Sequence, residues 1–111
     1  VGGLCGRNHW RATISHCYAT GSVSGDESVG GLCGYNDRGT ISNSFWDIET
    51  SGMTTSDGGT GKTKAEMQTM STFTDAGWDF VIETTNGTDD IWWILEGQDY
   101  PRLWWEVVEE N

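Results

Sequence analysis

The sequence predicts a mainly β fold in which short repeats stack as a solenoid, followed by a small α+β C-terminal segment with one short helix. Three observations predict it. A hexapeptide and its surroundings occur twice, 16 glycines accompany a single proline, and short apolar runs are separated by Gly, Ser, Asn and Asp turn signals.

The repeat comes first. Val1-Gly2-Gly3-Leu4-Cys5-Gly6 recurs as Val29-Gly30-Gly31-Leu32-Cys33-Gly34, and Asn8 answers Asn36 at the same spacing. Thr13-Ile14-Ser15 answers Thr40-Ile41-Ser42 at a spacing one residue shorter, so the first copy holds one extra residue in its turn, near His9 to Ala12. Cys17-Tyr18 then matches Ser44-Phe45, which keeps a small residue before an aromatic one. A unit this short buries its apolar side only against a neighbour, so the copies must stack with like residues in ladders. Leu4, Leu32, Ile14 and Ile41 are expected to be buried, each pair in adjacent coils. Val1 to Gly6 reads as a short strand and Cys17 to Val23 as a second, with Cys17, Ala19 and Val23 on one face. Strict alternation puts Val1 and Leu4 on opposite faces, which calls for a bend or a bulge between them.

The run V-G-G-L-x-G-x-N followed by I-S-x-C-Y-A-T-G-x-V-x-G resembles the GLUG repeat of large bacterial surface proteins, adhesin-like chains and some IgA-specific metallopeptidases. The second copy departs from it after Ser44, where Phe45-Trp46-Asp47 leads into Ser51-Gly52, a variant similar to the one that ends such arrays. The resemblance implies that residues 1–53 are two repeats of a parallel β-solenoid, of the right-handed β-helix kind. It implies no catalytic chemistry, because this repeat accompanies catalytic domains without being one.

After the repeats, residues 54–61 form a polar loop and residues 62–111 the C-terminal cap segment. Thr63 to Met70 reads as a short helix whose Thr63 and Glu66 fit a capping box. Trp78 to Ile82, Ile91 to Leu95 and Leu103 to Val107 read as strands, with turns at Asn86-Gly87 and Gly97 to Asp99. The order of these segments is similar to that of the C-terminal segment found after GLUG arrays. An uncovered solenoid end exposes strand amides and apolar core, and a terminal element covers it.

Composition narrows the partners. Six Lys and Arg against 17 Asp and Glu give a net charge of −11, a surface that repels phosphate backbones and argues against nucleic acid. The most apolar stretch, Ile91 to Leu95, is far short of the ~20 residues of a membrane-spanning helix, so no membrane insertion is expected. The absence of an initiating Met at Val1 suggests that any export signal lies upstream or has been removed. Cys5, Cys17 and Cys33 are an odd set, read as small packing residues and free thiols.

Several motifs are candidate sites. Gly59-Thr60-Gly61-Lys62-Thr63 falls short of a phosphate-binding loop because residue 56 is Ser56, not glycine. Cys5, His9, His16, Cys17 and Cys33 lack the paired spacing of a zinc site. Asp57, Asp89 and Asp90, with Asp47 and Glu49, are the candidate Ca²⁺ ligands, against the alternative of solvated turn carboxylates. Among seven tryptophans, Trp10, Trp46, Trp92 and Trp105 are the candidate binding platform, the alternative being an aromatic core. Asn86-Gly87-Thr88 fits a glycosylation sequon and, equally, a turn. Glycoside hydrolysis would need paired carboxylates on one face of neighbouring coils, and the repeats contain none beyond Asp26 and Glu27. The expected function is therefore a non-catalytic adhesion or display module, extracellular or on a cell surface. Its expected partner is a protein or glycan of a host or neighbouring cell. The alternatives are a filament unit that self-associates through the solenoid edge, and an accessory glycan-binding part of an enzyme.

Overall fold

The computed structural model describes residues 1–81 and 91–105. The chain forms two compact units, Val1–Lys64 and Ala65–Asn111, rich in short strands with a few short helices.

In the first unit the two copies lie strand against strand. β1 (Cys5–Asn8), β2 (Thr13–Ser15) and β3 (Tyr18–Ala19) come from the first copy, and β4 (Cys33–Asn36), β5 (Thr40–Ser42) and β6 (Phe45–Asp47) from the second. They pair in parallel as β1 with β4, β2 with β5 and β3 with β6. The register sets like on like, with Cys5 opposite Cys33, Asn8 opposite Asn36, Ile14 opposite Ile41 and Tyr18 opposite Phe45. Two asparagines absorb the extra residue of the first copy. Asn8 Nδ2 donates to the Ala12 carbonyl four residues on (3.2 Å), whereas Asn36 Nδ2 donates to Gly39 three residues on (3.1 Å). Asn8 also donates to Asn36 Oδ1 at 3.0 Å, so a buried amide ladder ties the two turns together.

The segment expected as a polar loop does more than connect. Asp57 N donates to the Cys33 carbonyl (3.0 Å), Thr60 N donates to Ser44 (2.9 Å), and β7 (Thr60–Lys62) pairs in parallel with β6. Residues 54–62 therefore make a shortened third pass that runs from β4 directly to β6 and omits the β2–β5 sheet. Gly58 and Gly59 carry the shortcut at φ 130° and 86°, a region that L side chains rarely adopt. A Cβ on Gly58 would lie 2.5 Å from Ile41 Cδ1, and one on Gly59 2.6 Å from Leu32 Cδ2. Bare backbone thus lies directly on the apolar residues of the second copy.

Ser56 completes this closure. In the first copy, the Leu4 and Cys5 amides both donate to the Leu32 carbonyl (3.0 and 3.1 Å), which is the bend the alternation called for. In the second copy, the Leu32 and Cys33 amides both donate to Ser56 Oγ (3.1 and 2.9 Å), and that hydroxyl donates to the Cys33 carbonyl (3.1 Å). A side-chain oxygen stands where a further backbone carbonyl would be.

The core of this unit is Ala19, Leu32 and Trp46, with Ile41 and Ile48 packed against them. The expected burial of the four repeat aliphatics therefore needs correction. Leu32 is fully buried, Ile14 and Ile41 are half-buried, and Leu4 is 46% exposed. Leu4 lies on the outermost of the three passes, with strand cover on one side only. α1 (Ile48–Ser51) follows β6, started by the buried Asp47, whose Oδ1 accepts from Glu49 N (2.8 Å) and Thr50 N (3.1 Å).

The single helix expected over Thr63 to Met70 is two, α2 (Lys64–Met67) and α3 (Met70–Thr74), because Thr69 takes an extended backbone at φ −116° between them. In the second unit, β8 (Trp92–Trp93) pairs antiparallel with β9 (Arg102–Leu103), and Phe80 makes a single parallel bridge to Trp92. Among the described residues the three expected strands are represented by these short contacts, and Ile82, Asn86-Gly87, Glu106 and Val107 lie outside the described residues. The turn at Gly97 to Asp99 is present, with Gly97 at φ 76°. Met67, Phe73, Trp78 and Phe80 are buried, and Trp78 packs on Phe73 and Trp92 at ring centroid distances of 4.9 and 4.6 Å.

Candidate functional site

The four platform tryptophans have different surroundings. Trp46 is only 5% exposed, its ring lies in the space that a Cβ on Gly31 or Gly61 would occupy, and its Nε1 donates to the Met53 carbonyl at 2.8 Å. It is core, which corrects its assignment to an exposed platform. Trp92 is half-buried against Trp78. Trp105 is exposed, and so is its neighbour Trp104, so neither member of that pair is core. Trp10, in the first unit, is 55% exposed.

The acidic candidates are tied into local structure. Asp57 Oδ2 accepts from Asn36 N (2.6 Å), Asp47 caps α1, and Glu49 Oε2 accepts from Lys64 N (2.6 Å). Asp89 and Asp90 lie outside the described residues. Among the described residues, no group of three or more His, Cys, Asp or Glu side chains is arranged to hold a metal ion. Cys5, Cys17 and Cys33 are free thiols, each with Sγ donating to a carbonyl two residues away. Burial pushes the Cys33 thiol above its ordinary range.

Trp10 belongs to a corner that the sequence motifs do not single out. Arg11 and Arg38 occupy equivalent places in the two copies, and Arg11 N donates to the Arg38 carbonyl at 3.3 Å. Both have left-handed backbones, at φ 63° and 58°. A non-glycine residue held there costs on the order of 1–3 kcal/mol. The Arg11 guanidinium sits 4.4 Å from the Trp10 ring centroid, and that of Arg7 5.6 Å from the Tyr35 ring. Asp37 is held between Arg7 (2.7 Å), His9 (3.3 Å) and Arg38 (3.5 Å), and the hydrogen bond from Arg7 holds its carboxyl below the usual carboxylate range. Beside these residues runs a shallow groove of about 330 Å³ lined by Gly6, Arg7, Ser28 and Tyr35. The signal was present in the sequence: extending the Thr13–Thr40 alignment backwards by two residues places Arg11 on Arg38.

A second hollow of about 330 Å³, in the second unit, is lined by Met70, Val81, Trp93, Ile94 and Glu96, and the Glu96 carboxylate there accepts from Met70 N at 2.8 Å. No helix among the described residues is long and apolar enough to cross a membrane.

Comparison with known proteins agrees with the repeat geometry. A protein named "Putative Gly-rich membrane protein" from Evansella cellulosilytica is 40% identical over 108 residues, which is 92% of this chain and 11% of that protein. Halomucin from Haloquadratum walsbyi is 41% identical over 49 residues, 44% of this chain. The chain thus spans about a tenth of the first relative and a far smaller part of the second. No solved structure matches. The GLUG motif matches residues 1–24 and again 25–45, so β1 to β5 and the start of β6 at Phe45 belong to two consecutive GLUG motifs.

Proposed function

We propose that the chain is a non-catalytic adhesion or display module of a secreted or cell-surface repeat protein, its GLUG motifs forming coils of a right-handed parallel β-solenoid. The observation that carries this reading is the like-on-like register of three parallel strand pairs, which sets equivalent strand residues of the two copies side by side. Such a ladder presents one side chain many times over to an extended partner, a protein or glycan of another cell or of the surrounding matrix. The name of one relative, "Putative Gly-rich membrane protein", supports a location at the cell surface. To test it, beads coated with the 111-residue chain are assayed for attachment to immobilised acidic and neutral polysaccharides, mucin and fibronectin. Attachment above that of albumin-coated beads to at least one of them is expected. Attachment to none, or turnover of any, overturns the reading.

A further inference from the structure

We infer that the corner built by Arg7, Trp10, Arg11, Tyr35 and Arg38 docks an acidic polysaccharide, a polyuronate whose carboxylates the arginines receive. The inference rests on the adhesion reading and names its partner.

Charge placement is the first ground. The chain carries −11, yet Arg7, Arg11 and Arg38, half of its six Lys and Arg, gather at this one corner. Backbone strain is the second. Left-handed positions favour Gly or Asn, and here both copies hold an arginine instead, with the Arg38 side chain 79% exposed and gaining nothing from packing. Carboxylate chemistry is the third. Arg7 and Arg38 already grip the carboxylate of Asp37, so their guanidinium groups are oriented for that anion. Arg11 has no carboxylate within ion-pair distance among the described residues and is held over Trp10.

The aromatic rings and the neighbouring cations point to a sugar polymer. Trp10 and Tyr35 are 55% and 46% exposed, and flat rings beside cations suit the apolar face and the acid group of a uronic acid together. Arg11 and Arg38 stand at equivalent turn positions of the two copies, their backbones joined by the hydrogen bond from Arg11 N to the Arg38 carbonyl, so the two cations leave neighbouring points of the stack. Duplex DNA carries one charge per about 1.7 Å, which three arginines on an acidic protein do not match.

The test measures binding of the full chain to polygalacturonate, to its neutral methyl ester and to duplex DNA at low and at physiological salt. Binding to polygalacturonate that weakens with salt is expected, with the ester and the DNA bound at least about tenfold more weakly, a difference of about 1.4 kcal/mol. The double variant Arg11→Asn/Arg38→Asn keeps residues that tolerate the left-handed backbone and is expected to lose about tenfold or more. The variant Lys62→Gln/Lys64→Gln removes the same charge elsewhere and should bind within about twofold of the parent, a limit set by long-range charge alone. Asp37→Asn removes the internal competitor and should tighten binding, a change that a merely structural corner would not produce. Absence of binding to polygalacturonate, equal binding to the ester or the DNA, or equal losses in the two double variants overturns the inference. In the bead assay, attachment that survives Arg11→Asn/Arg38→Asn defeats this inference and leaves the adhesion reading in place. Loss of all attachment by the parent chain defeats both.

Discussion

Leu4 and Leu32 are the same residue at the same place in two copies of one repeat, and their surroundings are opposite. Leu4 is 46% exposed and Leu32 is wholly buried. Both copies offer their neighbours the same amides and the same aliphatic side chain, so the difference comes entirely from what lies on the far side. Leu32 has the first copy on one side and the Gly58-Gly59 shortcut on the other, whereas Leu4 has only the second copy. In a stacked fold, burial is a property of position in the stack and is not written in the repeat itself.

The largest expected effect tests that difference directly. Leu32→Ala should destabilise the first unit by about 2–5 kcal/mol, as large-to-small changes in a closed core do, while Leu4→Ala should cost less than about 1 kcal/mol. Urea denaturation of the two variants checks it, and equal losses would mean that the two ends are covered alike.

The shortcut is the next target. Gly59→Ala places a Cβ 2.6 Å from Leu32 Cδ2 in a left-handed backbone, so strain and overpacking combine to about 2–4 kcal/mol. Gly52→Ala meets the same kind of backbone, at φ 74°, with nothing near the new Cβ, and should cost only about 1–2 kcal/mol. Matching values would show that the glycine at 59 serves the turn alone and not the closure over Leu32.

Ser56→Ala is a smaller change, expected to cost about 1–3 kcal/mol because it leaves the amides of Leu32 and Cys33 without their acceptor. Hydrogen exchange localises the effect. Those two amides should exchange faster in the variant, while the amides of Leu4 and Cys5, whose acceptor is the Leu32 carbonyl, should keep their parental rates.

The sequence disclosed what stacking demands and little else. Equal spacing of Gly-Gly-Leu-Cys-Gly, Asn and Thr-Ile-Ser was legible because in-register parallel pairing requires it, and the change of spacing located the extra residue in the turn bridged by Asn8. The third pass was not legible, since its contacts are made by backbone, a serine hydroxyl and two glycines, none of which repeats the motif. Trp46 read as a surface aromatic because the room for its ring is made far away in sequence, at Gly31 and Gly61. Of the candidate site, Trp10 was legible as a large apolar side chain in a polar turn. The arginines beside it were not legible as a site, because aligned cations signal a surface only once the turn places them at one corner.

The smallest effect contrasts Cys5 and Cys33, which face each other across β1 and β4 and differ only in cover. Cys33 is fully buried, and that burial, more than any neighbour, raises its thiol above the ordinary value of 9.0; Cys5 is half-buried. Because the thiolate is the reactive form, a maleimide at neutral pH should label Cys5 and Cys17 of the native chain first and Cys33 last. After denaturation without reductant, all three should react. A thiol whose pKa is higher folded than unfolded favours the native state fully below the unfolded value, and the advantage is lost as pH rises from about 9 through the folded value. Alkaline titration of stability should therefore show a decline above about pH 9 that flattens in Cys33→Ser, and Gly59→Ala should hasten native labelling of Cys33 by loosening the cover on its neighbour Leu32. Simultaneous labelling of Cys5 and Cys33 in the parent chain would mean that the closed end of the stack opens as readily as the uncovered one.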